Sequence, residues 1–282
     1  MTIVTLIAEG RRDESLAVLR SRLDGYNLLP RVRSLAPVSD LAVELSLSGI
    51  EVATVREVVG TIERADVIVQ EEHTRPPKLL VADMDSTMIG QECIDELADM
   101  VGKKEEVAAI TERAMRGELD FADALRERLS VLAGLDVSVT DRLLEERIRP
   151  NPGAKELIAG LKAAGTRCVL VSGGFTHFAE PVGRMLGFDR VVANVLAVRD
   201  GKLTGDVEGD IVDAATKRHI LIEEAGDERA RTVAIGDGAN DLKMMDVAGL
   251  GIAYRAKPKV AEAADARLDH APLDALLLAL TR

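Results

Sequence analysis

The sequence predicts an α/β protein in two parts. A small α+β unit of ferredoxin-like element order comes first, and a doubly wound, Rossmann-like parallel-sheet core carrying a helical insert follows. Three observations predict this. Residues 1–72 alternate short apolar runs with helical spacings in the order βαββαβ. Residues 73–78 then set two prolines among charges, the composition of a linker. Beyond the linker, apolar strands alternate with helices, as in a parallel sheet.

In the first unit, Ile3 to Ala8 is a short apolar run and predicts a strand. Asp13 to Leu23 places Leu16, Leu19 and Leu23 at helical spacing. Leu29 to Leu35 and Leu41 to Leu47 predict two strands separated by Ala36-Pro37-Val38-Ser39-Asp40. Glu51 to Ile62 predicts a helix with Val52, Val55, Val58, Val59 and Ile62 on one face, and Ala65 to Val69 a last strand. By element order alone this unit resembles the ACT family of small regulatory modules. That resemblance implies binding of an amino acid or contacts in a homodimer.

The core is expected over residues 79–282. Leu79 to Ala82 is an apolar strand that ends in acids, and residues 91–150 follow as an insert of about four helices with no clear strand. From Gly153 on, helices alternate with the strands Arg167 to Val171, Val191 to Asn194 and Thr232 to Ile235. Gly165 stands where a helix ends in a left-handed residue. Asp200-Gly201 between short β-like runs signals a hairpin.

Composition bounds the function. The chain has 282 residues, 47% of them hydrophobic and 30% charged, ordinary values for a globular protein. The formal net charge of −12, with no Trp and only four Phe and two Tyr, argues against nucleic acid as a partner. It also disfavours, at first sight, an anionic substrate. No apolar run reaches the roughly 18 residues of a membrane span, and no basic stretch precedes the first apolar run as in a secretory leader. Two cysteines, Cys93 and Cys168, form no disulfide framework, so a reducing, cytoplasmic compartment is expected.

Three strands end in polar clusters: Asp83-Met84-Asp85-Ser86-Thr87, Ser172-Gly173-Gly174, and Gly236-Asp237-Gly238-Ala239-Asn240-Asp241. In open α/β sheets, ligands bind beyond the carboxyl ends of the strands, so the clusters are expected to meet in one crevice. Asp83, Asp237 and Asp241 would crowd negative charge there, which calls for a cation. Oxygen ligands without His or Cys suit Mg²⁺ with a phosphate, and hence phosphoryl transfer. The Asp-x-Asp spacing places two carboxylates on one side of an extended segment, one to attack and one to act as acid and then base.

DMDST, VSGG, a downstream lysine and GDGAND together resemble the haloacid dehalogenase superfamily of phosphatases. The stretches IGQECIDELA, ITERAMRGELDFADALRERL, DGKLTGDVEGDI and GLGIAYRAKPKV resemble, more narrowly, its branch acting on free phosphoserine. The match runs from Lys78 to about Ala271, and Met84 stands where aromatic residues are common in the family. The resemblance implies that Asp83 is the nucleophile that becomes an aspartyl phosphate. Asp85 would protonate the leaving serine oxygen and then activate water. It implies Mg²⁺ held by Asp83, the Asp85 carbonyl and Asp237, with Asp241 in or beside that set. Ser172, the Gly173 amide and Asn240 would hold phosphate, and Lys217 would neutralise Asp83 and the charge developing on phosphorus. In the insert, which the superfamily uses as a cap, Glu92 would meet the substrate ammonium and Arg128 its carboxylate, with Met115 and Phe121 as apolar wall. The implied reaction is hydrolysis of O-phospho-L-serine, the last step of serine synthesis. The competing readings are another small phosphomonoester as substrate, a non-phosphoryl branch of the superfamily, and an inert amino-acid sensor.

Overall fold

The computed structural model describes every residue except Gly117 and the side chain of Met115. The chain builds two sheets. The first contains β1 (Thr2–Ile7), β2 (Val32–Pro37), β3 (Ala42–Leu47) and β4 (Asp66–Glu71) in the order β2-β3-β1-β4, all antiparallel. Helices α1 (Arg12–Gly25) and α2 (Val52–Val59) cover one face, where Val4, Leu6, Leu19, Leu23, Val55 and Val59 form one apolar cluster.

The outer strand begins at Val32, because Leu29–Arg31 is a 3-10 turn, and it runs on through Ala36 and Pro37. A proline is tolerated there because β2 is an edge strand and needs no donor on its free side. β1 is buried at all six positions rather than at alternate ones. The opposite face of its sheet explains this: Ile7, Ala42 and Ile68 pack into the core of the second unit.

Polar contacts fix that docking. The buried Asp66 carboxylate accepts backbone N–H groups from Asp269, His270 and Ala271. Gln70 donates to the Ala279 carbonyl at 2.8 Å, and Arg56 pairs with Asp265. These groups are far apart in sequence, so no local pattern announces them.

The second sheet has seven strands: β5 (Leu79–Ala82), β6 (Arg167–Phe175), β7 (Arg190–Arg199), β8 (Lys202–Glu208), β9 (Thr232–Gly236), β10 (Leu250–Tyr254) and β11 (Ala266–Leu268). Their order is β11-β10-β9-β5-β6-β7-β8, parallel except for β8. The sequence reading assigned no strand after β9. Gly249 and Gly251 interrupt the apolar run at β10, and β11 has only three residues, so pairing in the sheet rather than local pattern makes them strands. The Asp200-Gly201 signal does form the β7–β8 hairpin, with both residues at positive φ (51° and 75°).

Between β5 and β6 the chain forms α3 (Cys93–Met100), α4 (Lys104–Met115), α5 (Phe121–Val131) and α6 (Ser138–Glu146), the four-helix insert, and then α7 (Ala154–Ala163). Gly165 follows α7 at φ 84°, the left-handed conformation a helix end requires. α8 (Thr176–Leu186) follows β6, α9 (Ala214–Ala225) precedes β9, α10 (Leu242–Met245) follows it, and α11 (Pro258–Ala263) and α12 (Leu277–Leu280) complete the chain. No described helix is long and apolar enough to cross a membrane.

Candidate active site

β9, β5 and β6 are neighbours in the centre of the parallel sheet, so their carboxyl ends open at one place. Adjacency therefore brings the three polar clusters together. They line a cavity of about 730 Å³ with the helical insert as its opposite wall. Asp83, Asp85, Glu92, Phe121, Arg128, Ser172, Gly173, Asp237 and Asn240 all face it. Lys217 and Asp241 lie beneath its floor, fully buried. The Met115 side chain, also read as part of the wall, lies outside the described residues.

Asp83 follows β5 directly, and its N–H donates to the Ile235 carbonyl of β9 at 3.0 Å. One carboxylate oxygen accepts the Met84 N–H at 2.8 Å and an ion pair from Lys217 at 2.6 Å. The chain then reverses through Ser86 at φ 54°, a left-handed conformation that costs a non-glycine residue energy and here aims Asp85 at the cavity. One oxygen of Asp85 is buried without a hydrogen-bond partner among the described residues. Burial, and then the nearby Glu92 charge, push its carboxyl up to about 7, so it holds a proton near neutrality. Met84 packs fully buried between the two aspartates.

The cluster after β9 is held from several sides. Asp237 accepts the Thr87 hydroxyl at 3.1 Å, and burial followed by the Asp241 charge raises its carboxyl to about 6. Asp241 accepts Lys217 at 2.7 Å on one oxygen and the Gly238 N–H at 3.0 Å on the other. Lys217 rises from the second turn of α9, whose start is capped by Asp213. Its two carboxylate neighbours keep its ammonium charged despite complete burial. Burial, and then the Asp241 charge, raise the Asp83 carboxyl, while Lys217 opposes them.

Oxygens of Asp83, Asp237 and Asp241 lie within 4.8 Å of one another. Their fit to a divalent cation can be judged from the hydrogen bonds. Both Asp241 oxygens are already engaged. Asp83 and Asp237 each keep one oxygen without a partner, and the Asp85 carbonyl accepts no hydrogen bond among the described residues. Two carboxylate oxygens and a carbonyl make a hard-oxygen set suited to a small divalent cation. Asp241, beside that set, also holds Lys217.

Ser172 Oγ accepts the Gly174 N–H at 2.9 Å. A Cβ on Gly174 would stand 2.9 Å from an Asp85 oxygen and 3.0 Å from Ser172 Oγ, so only glycine lets this loop approach so closely. The loop is pinned by Asn194, which donates to the Gly173 carbonyl at 2.8 Å and accepts the Val212 N–H at 2.8 Å. Sequence reasoning missed Thr87 and Asn194. Thr87 is visible as the last residue of DMDST, whereas an asparagine within a strand carries no local signal.

Across the cavity, Glu92 accepts the Ser86 hydroxyl at 2.7 Å at the start of α3. Arg128, on α5, donates through Nε to the Ala124 carbonyl at 3.2 Å and makes no ion pair among the described residues. Its guanidinium faces the cavity, and burial lowers its pKa from the ordinary value. The Phe121 ring reaches the phosphate-loop side, where a Cβ on Gly173 would touch it at 3.0 Å.

An aspartate-bearing strand end, a glycine loop, a buried lysine and an acidic cluster beneath a helical insert define a class of hydrolase. A family model described as haloacid dehalogenase-like hydrolase matches residues 80–246, and a second of the same description matches residues 215–280. The chain belongs to this family. Within it, the chain is 42% identical over 293 residues to the phosphoserine phosphatase of Streptomyces coelicolor, covering 100% of this chain and 71% of that protein. A solved HAD family hydrolase of Salmonella enterica serovar Typhi superposes with a TM-score of 0.83 at 27% identity, covering 99% of this chain and 98% of the other. A solved phospho-aspartyl intermediate analogue of phosphoserine phosphatase superposes with a TM-score of 0.68 at 42% identity, covering 73% and 100%.

Proposed function

We propose that the chain hydrolyses O-phospho-L-serine to L-serine and phosphate, the reaction that completes serine synthesis. The observation that carries this reading is the unpaired Arg128 guanidinium beside Glu92, across one cavity from Asp83 and Lys217. Free phosphoserine bears a carboxylate, an ammonium and a phosphate, and the cavity offers a partner of opposite sign to each. An arginine fork matches a carboxylate bidentately.

In this reading Asp83 attacks phosphorus through a carboxylate oxygen. The bond from phosphorus to the serine oxygen breaks as Asp85 delivers its proton there, and L-serine leaves. Water then attacks the phosphoryl group on Asp83, giving a proton back to Asp85, and the bond to Asp83 breaks. Lys217, the Ser172 hydroxyl and the Gly173 N–H stabilise the charge spread over the phosphoryl oxygens. Asn240 borders the same end of the cavity. A Mg²⁺ ion held by Asp83, Asp237 and the Asp85 carbonyl would offset the charge of the phosphate oxygens. The cap wall, with Phe121, excludes bulk water during attack.

Phosphate release from O-phospho-L-serine, with and without Mg²⁺ and beside other small phosphate esters, tests the reading. Arg128→Ala should lower kcat/KM for phosphoserine by about a hundredfold, within the span of about 2–5 kcal/mol for truncating one partner of a buried charged pair. An ester without a carboxylate should be nearly unaffected. Equal losses on both esters would show that another phosphomonoester is the substrate. The exposed β2 edge supports a homodimer through the N-terminal unit, which a solution mass measurement decides. The free buried thiols Cys93 and Cys168 suit a reducing, cytoplasmic setting.

A further inference from the structure

We propose that Lys243 and Lys257 form a positive entrance to the cavity that draws the phosphate group in ahead of the rest of the substrate. The inference rests on the phosphomonoesterase reading above, but not on the assignment of Arg128 or Glu92.

Both lysines line the cavity, and both are exposed at its mouth. Neither makes an ion pair or a side-chain hydrogen bond among the described residues, so their charges are not spent on the fold. Each is tied through the backbone to the segment that carries Asp237. Lys243 is in α10, just after the Gly236–Asp241 loop. Lys257 follows β10 and donates its backbone N–H to the Asp237 carbonyl at 3.3 Å. They therefore border the same cavity as Asp83, Ser172 and Asp237, which would receive phosphate. Lys257 also lies within Coulombic reach of Asp95 on the cap.

The need for such an entrance follows from charge. The whole chain carries −12, and Asp83, Asp85, Glu92, Asp213 and Asp237 face the same cavity. A phosphate dianion approaching that field is repelled. Cations confined to a cleft mouth reverse the local potential, and such steering weakens as salt screens it. Contacts made equally before and during reaction change KM rather than kcat.

The test compares the parent with K243Q/K257Q, K243R/K257R and the single-charge control K259Q, whose lysine lies in α11 and does not line the cavity. At low ionic strength the Gln pair should lower kcat/KM for O-phospho-L-serine by about tenfold with kcat unchanged, the low end of steering effects. The deficit should shrink toward parity near 1 M salt, where the screening length is about 3 Å. The Arg pair should restore the parent value, and K259Q should match it throughout. Equal kcat/KM for parent and Gln pair at low salt would overturn the proposal. So would a deficit that persists at high salt or lies in kcat. If the parent fails on phosphoserine, the substrate reading has failed instead, and the same comparison run with p-nitrophenyl phosphate still decides the role of the lysines.

Discussion

Lys217 and Asp83 meet at 2.6 Å at the buried floor of the cavity, and the same ammonium lies 2.7 Å from Asp241. One buried cation thus holds two carboxylates that would otherwise repel each other. Lys217→Met should leave both carboxylates uncompensated. The expected cost is about 3–5 kcal/mol, the scale for breaking a buried ion pair from one side, with phosphate release falling to background. Denaturant unfolding of the metal-free protein measures the first effect. A variant as stable as the parent would mean that Asp83 and Asp241 do not rely on this lysine.

Acidity supplies a second test. Asp85 stands at about 7 and Asp237 at about 6, against 3.8 for an ordinary aspartate. Between those values the folded protein keeps protons that the unfolded chain has released. The stability these groups lend is complete below about pH 4 and is lost as pH rises through 6 to 7. The metal-free protein should therefore melt about 5–10 °C lower at pH 8 than at pH 5, taking a few kcal/mol for a chain of this size. A saturating divalent cation should flatten that slope by replacing the protons. A melting temperature that rises over the same range in the metal-free protein would contradict the crowding of acids seen here.

Asn194 ties the Ser172–Gly174 loop to Val212, just ahead of the helix that carries Lys217. Asn194→Ala leaves both backbone groups without this partner, and each unsatisfied buried group costs about 1–3 kcal/mol. Misplacing the loop should lower kcat/KM by about 10- to 100-fold. Steady-state phosphate release and thermal melting, measured together, check this. A variant that loses stability but keeps full activity would show that Asn194 braces the fold without placing the loop.

Much of the molecule is determined by local sequence. The βαββαβ order, the four-helix insert, the glycine at the end of α7 and the Asp200-Gly201 hairpin each follow from periodicity or backbone conformation over a few residues. The polar clusters at the ends of β5, β6 and β9 are equally local, because each is the continuation of its own strand. Their meeting is not local. It depends on β9, β5 and β6 being neighbours, which hydrogen bonding across 88 and 153 residues decides. The same holds for β10, whose run glycines interrupt, for the three-residue β11, and for Asn194, whose partners lie 21 and 18 residues away. The docking of the two sheets through Asp66 is likewise tertiary, since its three donors are more than two hundred residues distant. Net charge shows the division most clearly. The sequence determines that the chain is strongly acidic. Only the folded structure decides that Lys217 is enclosed between acids while Lys243 and Lys257 stand free at the cavity mouth, because the potential at a site depends on distance and burial rather than on a sum over residues.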